Sequence, residues 1–577
     1  MTFIVRNIVV FCTGLWVALF ICPPKTAFSI TPEKLLQNVY TLAMEDTIQQ
    51  PVDEYVSEIL SDLHNLGYLE AQPDSIVKDA LQYTIYISKG NPFHYLIRSN
   101  NISSLILNKV RLDSRFEQES LSFEEFDRNV QEVLDYYSNH GYPFARINKN
   151  NVEITQNTIA FDLEVDPMDY IVFDSLNVTG DVQLSTFYLE NHLNIRQGEP
   201  YNEKLVNDAG QKLRELDYVE LNQPLQVSFS PGKASLHIPL SKSRSNRFDG
   251  VAGLAGSDDP DASMHLTGML NLYLSNFMAM GENLEVSWQG LGHGTQILNM
   301  QGGYPYPFRL PLTTEINFEL HKQDTSWLQL QVEPAIFTEL TAQTSLGVFM
   351  HHASNALIST EIYHNNLSVP ENLDFRLQLY GLHFRTRTRA YHQQLLQSGH
   401  IIFLSAAAGT REILKNDNVP AETYEETEGS IFQFNGKASL EKRWQTGSRA
   451  TVSAGINAAT IGGNNIPGNM LTRLGGFKTL KGFDELSLAA SSYALADAEF
   501  RFFTAPASFF SLFVNGGWYE RMQLGHYAND WVLGVGAGVN LETQAGIFAL
   551  YMGLGTRKNI PLELRNAKIH VGYISQF

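Results

Sequence analysis

Two rhythms of apolar positions divide this chain. Up to about residue 243, apolar residues at helical spacing alternate with short strands, in a unit that recurs about every 75 residues. Each unit closes a helix on a similar turn: Leu66-Gly67-Tyr68, then His140-Gly141-Tyr142, then Leu216-Asp217-Tyr218. A turn and two short strands follow. The closing strand alternates as Tyr83, Ile85, Ile87; as Phe161, Leu163, Val165; and as Leu236, Ile238, Leu240. In the middle unit Ser122 and Glu125 make a capping-box pair ahead of Phe126, Val130, Leu134 and Tyr137, which marks a helix start. The third unit reads as βααββ: a strand from Ile171 to Val178, a helix through Leu189 and Leu193, Gly198-Glu199-Pro200, a helix from Glu203 to Leu216, and two strands. The first unit is the sparsest, because residues 30–50 must supply its opening strand and helix without an evident strand pattern.

From Arg247 to Phe577 the period falls to two. Segments of roughly ten residues alternate apolar and polar positions between turns, the pattern of a transmembrane barrel. Examples are His265 to Tyr273, Asn283 to Trp288, Thr314 to Leu320, Leu328 to Val332 and Val535 to Leu541. At about 20 residues per strand and turn, this half holds about 16 strands, given strands of about 9–11 residues. Asp497, Glu499 and Arg501 alternate with Ala498, Phe500 and Phe502, which puts the charges on the lumen side. The competing reading, soluble β-sandwiches, is weak because such domains seldom need a signal peptide, a cysteine-free exported body and an aromatic final residue together.

Composition sharpens this picture. The 577 residues are 44% hydrophobic and 18% charged, with 25 Tyr and 34 Phe. An average soluble chain has about 25% charged residues. The net charge of -20 excludes nucleic acid as an expected partner, since phosphate backbones recruit clustered Lys and Arg. Residues 1–29 read as an export signal: Arg6, the apolar run Ile8 to Cys22, then Ala27-Phe28-Ser29 as a small-x-small cleavage site. The alternatives are an anchor, for which the run is short, and a lipoprotein signal at Cys22, for which Phe20 and Ile21 are a poor fit. Both cysteines, Cys12 and Cys22, lie in that segment, so cleavage at Ser29 leaves no thiol chemistry. No later apolar run reaches the length of a spanning helix, so any membrane span must be a barrel.

Candidate chemistry is sparse. His293 and the adjacent His351-His352 lack metal-ligand spacing, and no metal or cofactor is expected. Gly534, Gly536 and Gly538 alternate within a strand, where small residues suit a tightly curved wall, and do not cradle phosphate. Glu422, Glu425, Glu426 and Glu428 read as a solvated external loop. No nucleophile elbow or P-loop occurs, so no catalytic residues are expected.

Three βααββ units before a barrel resemble the POTRA domains and surface-antigen-type barrel of the BamA/TamA outer-membrane insertase superfamily, with TamA-like members nearest in length. Further segments carry the resemblance. Tyr304-Pro305-Tyr306-Pro307-Phe308 sits where a short periplasmic turn would join two strands. Leu480-Lys481-Gly482-Phe483 resembles the family's V-R-G-F/Y lumen loop, with Lys481 in place of arginine. Phe513-Val514-Asn515-Gly516-Gly517 resembles its F-x-D-x-G strand, with Asn515 in place of aspartate. The last strand resembles a C-terminal β-signal, from which Ser575 departs.

The resemblance implies a fold of α+β POTRA repeats (30–90, 91–166 and 167–243) followed by an all-β transmembrane barrel of about 16 antiparallel strands (244–577). It implies a loop, Leu480 to Phe483, folded into the lumen with Asp497, Glu499 and Asn515 as partners. A lysine is a point charge without arginine's fork, so this lock should be looser. It also implies a lateral seam between the first strand (Phe248, Gly250, Ala252, Ala255) and the last (Ile569, Val571, Tyr573, Phe577). The expected partners are outer-membrane lipid, client outer-membrane or secreted proteins, and a periplasmic or inner-membrane-anchored protein docked on the repeats. The expected activity is client insertion or translocation without catalysis. A secretion translocator and a passive porin are the alternatives, and repeats acting only as spacers are the alternative to β-augmentation of clients.

Overall fold

A computed structural model describes residues 38–43, 52–79, 82–112, 121–255, 265–292, 294–341, 343–360, 371–388, 398–419, 424, 429–476, 479–524, 526–543, 546–558 and 560–576. The export segment, His293, the four acidic residues of 422–428 and Phe577 lie outside the described residues. The chain divides into two compact units, Met1–Tyr170 and Ile171–Phe577.

The first unit holds two small sheets. One is built from β1 (Val39–Ala43), α1 (Val52–Asn65), β2 (Gln72–Lys78) and β3 (Gln82–Ser88), in the order β1-β3-β2. The other has β4 (His94–Asn100), α2 (Ser104–Lys109), α3 (Phe123–Ser138), β5 (Arg146–Thr155) and β6 (Thr158–Asp166), in the order β4-β6-β5. Helix α3 starts where expected. The Ser122 hydroxyl accepts from the Glu125 N–H, while the Glu125 carboxylate accepts from the Ser122 N–H. These bonds satisfy donors that the first helical turn leaves open. Phe126 and Val133 are buried against Phe161, Leu163 and Val165 of β6.

In the first repeat β1 runs antiparallel to β3, whereas β4 and β6 of the second repeat are parallel.

The second unit begins with the third repeat: β7 (Val172–Gly180), α4 (Thr186–Leu193), α5 (Glu203–Arg214), β8 (Val219–Leu221), β9 (Gln226–Ser230) and β10 (Lys233–Lys242). Three strands follow the helices, not two. β8 and β9 pair with successive stretches of β10, and β7 lies parallel on its other side. Helix α4 ends at Asn194 in the left-handed conformation, and Lys212 donates to the carbonyls of His192 and Leu193 at its end.

The rest is one closed antiparallel barrel. Its first eleven strands are β11 (Arg247–Ala255), β12 (His265–Ser275), β13 (Asn283–Gly292), β14 (Thr295–Pro305), β15 (Leu312–Gln323), β16 (Trp327–Thr341), β17 (Thr344–Leu357), β18 (Phe375–Arg387), β19 (Gly399–Ile413), β20 (Ser430–Gly447) and β21 (Ala450–Gly462). A short hairpin, β22 (Thr472–Leu474) with β23 (Leu488–Ala490), interrupts the wall order. The wall resumes with β24 (Ser492–Ala505), β25 (Ser508–Gln523), β26 (His526–Thr543), β27 (Gly546–Arg557) and β28 (Lys568–Gln576), giving 16 strands. No described helix is long and apolar enough to cross a membrane, so strands form the span. The alternation is visible on β25, where Phe510, Leu512 and Val514 face outward and Phe509, Ser511, Phe513 and Asn515 are buried inside.

The third repeat is joined to the barrel by the turns at one end. Tyr306, in the turn after β14, enters the repeat's apolar core beside Tyr188 and Tyr218. Its hydroxyl lies 2.9 Å from His192 Nδ1, and the Tyr273 hydroxyl donates to Asp217 at 2.8 Å. Gly281 passes so close to the Tyr188 ring that a Cβ there would stand 2.3 Å from it. Burial holds the Tyr188 and Tyr218 hydroxyls well above the ordinary phenol range, and lowers His192 to about 4.

Candidate functional site

The loop between β21 and β24 turns into the lumen and rests on a shelf that the register builds. Three rows of inward residues cross β24 to β27: Asp497, Asn515, Gly534, Gly555; then Glu499, Phe513, Gly536, Gly553; then Arg501, Ser511, Gly538, Tyr551. Charge stands at one side of the shelf and glycine at the other. The loop backbone lies on the glycines. A Cβ on Gly534 would stand 2.2 Å from the Lys481 carbonyl oxygen, and one on Gly555 would stand 2.4 Å from that of Gly482. Gly482 itself has φ +95°, and a Cβ there would meet the Leu554 backbone at 2.8 Å. Strand glycines mark such close approaches of a second backbone. Loop contact therefore accounts for Gly534; Gly536 instead clears the Met552 carbonyl of the neighbouring wall strand and the Phe513 ring, and Gly538 clears the Tyr551 ring.

Lys481 reaches across to the charged side. Its ammonium is 3.6 Å from Glu499 Oε2, and Arg501 donates to the same oxygen at 2.9 Å. It also stands 4.8 Å from the centre of the Phe513 ring and 5.5 Å from that of Tyr551. The negative faces of the two rings add to the carboxylate's attraction. Leu480 and Phe483 are buried with Leu474, Leu488, Leu495 and Val532, an apolar base beneath the ion pair. Asp497 lies directly across from Asn515, one row along. The structure thus gathers Leu480 to Phe483, Asp497, Glu499 and Asn515 in one place. The sequence reading missed the glycine shelf and the sharing of Glu499 with Arg501. The alternating glycines were the available signal, but which backbone they admit depends on register.

Other lumen-facing groups cluster on β15 to β18. Glu333 accepts from His351 at 2.9 Å and lies 3.3 Å from His383, while Arg385 pairs with Glu315 at 2.6 Å. An apolar cluster is packed among the inward side chains of β16 to β19 and the segment after β21. It includes Phe375, Leu377, Val419, Tyr424, Ile466, Met470 and Leu471. Fully buried Arg411 donates there to the carbonyl of Asn465 at 3.0 Å and to Gln433 at 3.2 Å.

Among the described residues, the barrel closes between β11 and β28 by four register pairs: Arg247 with Gln576, Phe248 with Ser575, Asp249 with Ile574, and Gly250 with Tyr573. By contrast, nine pairs join β11 to β12 and fifteen join β25 to β26. Val251 to Ala255 and Lys568 to Gly572 stay in strand conformation, but the register between the two strands stops at Gly250. Ala252 and Ala255 therefore lie on the stretch of β11 that does not pair with β28, and Ile569 and Val571 on the stretch of β28 that does not pair with β11, although each is in register with its other neighbour. The Tyr573 ring sits 5.0 Å from that of Phe548.

The fold defines the class: a sixteen-stranded transmembrane barrel carrying POTRA-type α+β repeats at its N-terminal side. Solved structures share it. CdiB from Escherichia coli matches with a TM-score of 0.55 at 14% identity, over 92% of this chain and 98% of that one. CdiB from Acinetobacter baumannii matches at 0.52 and 12%, over the same shares. The crystal structure of BamA from Haemophilus ducreyi lacking POTRA domains 1-3 overlaps at 0.44 and 13%, over 83% and 99%. No protein-family model and no curated protein sequence matches the chain.

Proposed function

We propose that this chain sits in an outer membrane with its repeats in the periplasm, and assembles or translocates client proteins there without catalysis. The observation that carries this reading is the four-pair seam. A strand edge left open beside a closed wall offers backbone donors and acceptors to an incoming strand. The repeats, reached through open sheet edges, would receive clients or a periplasmic or inner-membrane-anchored partner. The Lys481–Glu499 loop would brace the wall strands that lead into β28. The test is single cysteines at Ala252 and Val571 in living cells, with trapped adducts identified by mass spectrometry. Barrel-protein adducts at these positions support assembly through the seam, and their absence opposes it.

Secretion through the lumen is the second reading. The charged rows of Glu333, His351, His383 and Arg385 favour it, because a polar wall suits an unfolded chain. Adducts with secreted chains from a cysteine at Glu499, and none from the seam, would select it.

A further inference from the structure

The outward face of β13 to β18 carries a groove that neither the seam nor the lumen explains. Its volume is about 1120 Å³. Its floor runs along one row of the wall, Leu284, Gly302, Ile316 and Pro334, set side by side by the register. Ile336, Val348, Tyr380 and Leu382 rise around it, each 46–59% exposed.

Two residues that weaken a wall make this groove. Pro334 stands in the middle of a non-edge strand, where it gives no ladder donor, and the register between β16 and β17 passes from Val332–His352 to Ala335–Phe349 without it. Gly302 stands in the interior of β14 and gives no side chain to pack, and a Cβ there would meet nothing nearer than 3.8 Å. Both leave outward space in the same row, on either side of Ile316.

The periplasmic rim of the groove is built to keep apolar groups outside. Glu282 is buried and accepts the backbone N–H groups of Met278 and Met280, and Asn276 accepts that of Gly281 at 3.0 Å. The turn is therefore fixed from within, while Phe277 and Met278 project outward at 48% and 64% exposure. The next turn on this side presents Phe308, which is 95% exposed.

We infer that this groove is a phospholipid site, holding an acyl chain of the periplasmic leaflet. The wall residues at this level face bilayer, so the medium that fills the groove is hydrocarbon, and the groove opens beside turns at the headgroup level. A chain seated there would lie along the row Leu284, Gly302, Ile316 and Pro334 beside Ile336, Val348, Tyr380 and Leu382, unlike one lying on the wall at Leu512 and Val514. The inference goes beyond the client-assembly reading and needs only that the barrel lies in a bilayer.

The test uses the full chain in phosphatidylethanolamine vesicles containing a phospholipid with a diazirine acyl chain. After illumination, labelled peptides are mapped. The expected result is label concentrated at 302–304 and 334–336 over 510–514. Gly302→Trp, which fills the groove, should cut that label several-fold and leave the barrel's heat-modifiable gel mobility unchanged. Val348→Trp serves as a second filling variant if the first fails to fold. Even labelling around the wall would mean annular lipid only, and would overturn the inference. Concentrated label insensitive to both tryptophans would do the same, as would depletion of label in the groove in native membranes, which would mean a protein segment covers it.

Discussion

The Lys481 ammonium stands 3.6 Å from a Glu499 oxygen that Arg501 also contacts, at 2.9 Å. One buried carboxylate thus serves a cation of the loop and a cation of the wall. Removing it leaves both without their shared counter-charge, and breaking a buried pair in this way costs about 3–5 kcal/mol. Glu499→Gln should lower the barrel's unfolding midpoint in urea and open residues 475–491 to protease. Lys481→Arg should keep the loop protected, because a fork can also reach the carboxylate. Equal protease resistance in Glu499→Gln and the parent would refute the shared-charge lock.

Glycine conformation separates two kinds of substitution. Gly482→Ala meets both positive φ and the Leu554 backbone at 2.8 Å, so the loop must leave its shelf. Gly198→Ala meets positive φ alone, with nothing within 4 Å, and should cost only about 1–2 kcal/mol. Proteolysis of the loop should rise in the first variant and stay at the parent level in the second. A protected loop in Gly482→Ala would show that the close approach does not hold it.

The interface of the third repeat should weaken in acid. Burial lowers His192 to about 4, and the nearby Lys212 ammonium adds to this, against an ordinary value of about 6.5. The group is a base with a depressed folded value, so the unfolded chain binds its proton first. Its contribution is present above about pH 6.5 and is lost as pH falls toward 4. Thermal unfolding followed at pH 7.5 and at pH 5 should show a downward shift in the parent that His192→Gln reduces. An identical shift in both would assign the acid sensitivity elsewhere.

Tyr306 should matter far more than its neighbour Phe308. The first is buried in the repeat's core and the second is 95% exposed. Tyr306→Ala empties an aromatic site, at a cost of about 3–5 kcal/mol. It should make the segment around Ser243 to Asn246 cleavable by protease, while Phe308→Ser should not.

Much of this architecture was legible in the sequence. The period-two alternation gave the barrel, and the length of that half at about 20 residues per strand and turn gave its strand number. The capping box at Ser122 and Glu125 gave the start of α3, because its chemistry lies within three residues. The lumen side of Asp497 and Glu499 followed from alternation along a single strand. What escaped depends on register between distant segments. Gly555 admits Gly482 only because β27 lies two strands from β25. The seam's shortness depends on pairing residues some 320 positions apart, Gly250 with Tyr573. Val219 to Leu221 is too short to show any alternation, and so the third repeat gained a strand.

The central claim, that clients pass through the seam, is tested most directly by closing it. Gly250 and Tyr573 are cross-strand partners, and the Cα spacing of antiparallel pairs, about 4.5–5.5 Å, suits a disulfide. Cysteines at both positions, oxidised in living cells, should halt the appearance of new barrel proteins in the outer membrane, and reduction should restore it. Normal client assembly in fully oxidised, crosslinked protein would contradict the account.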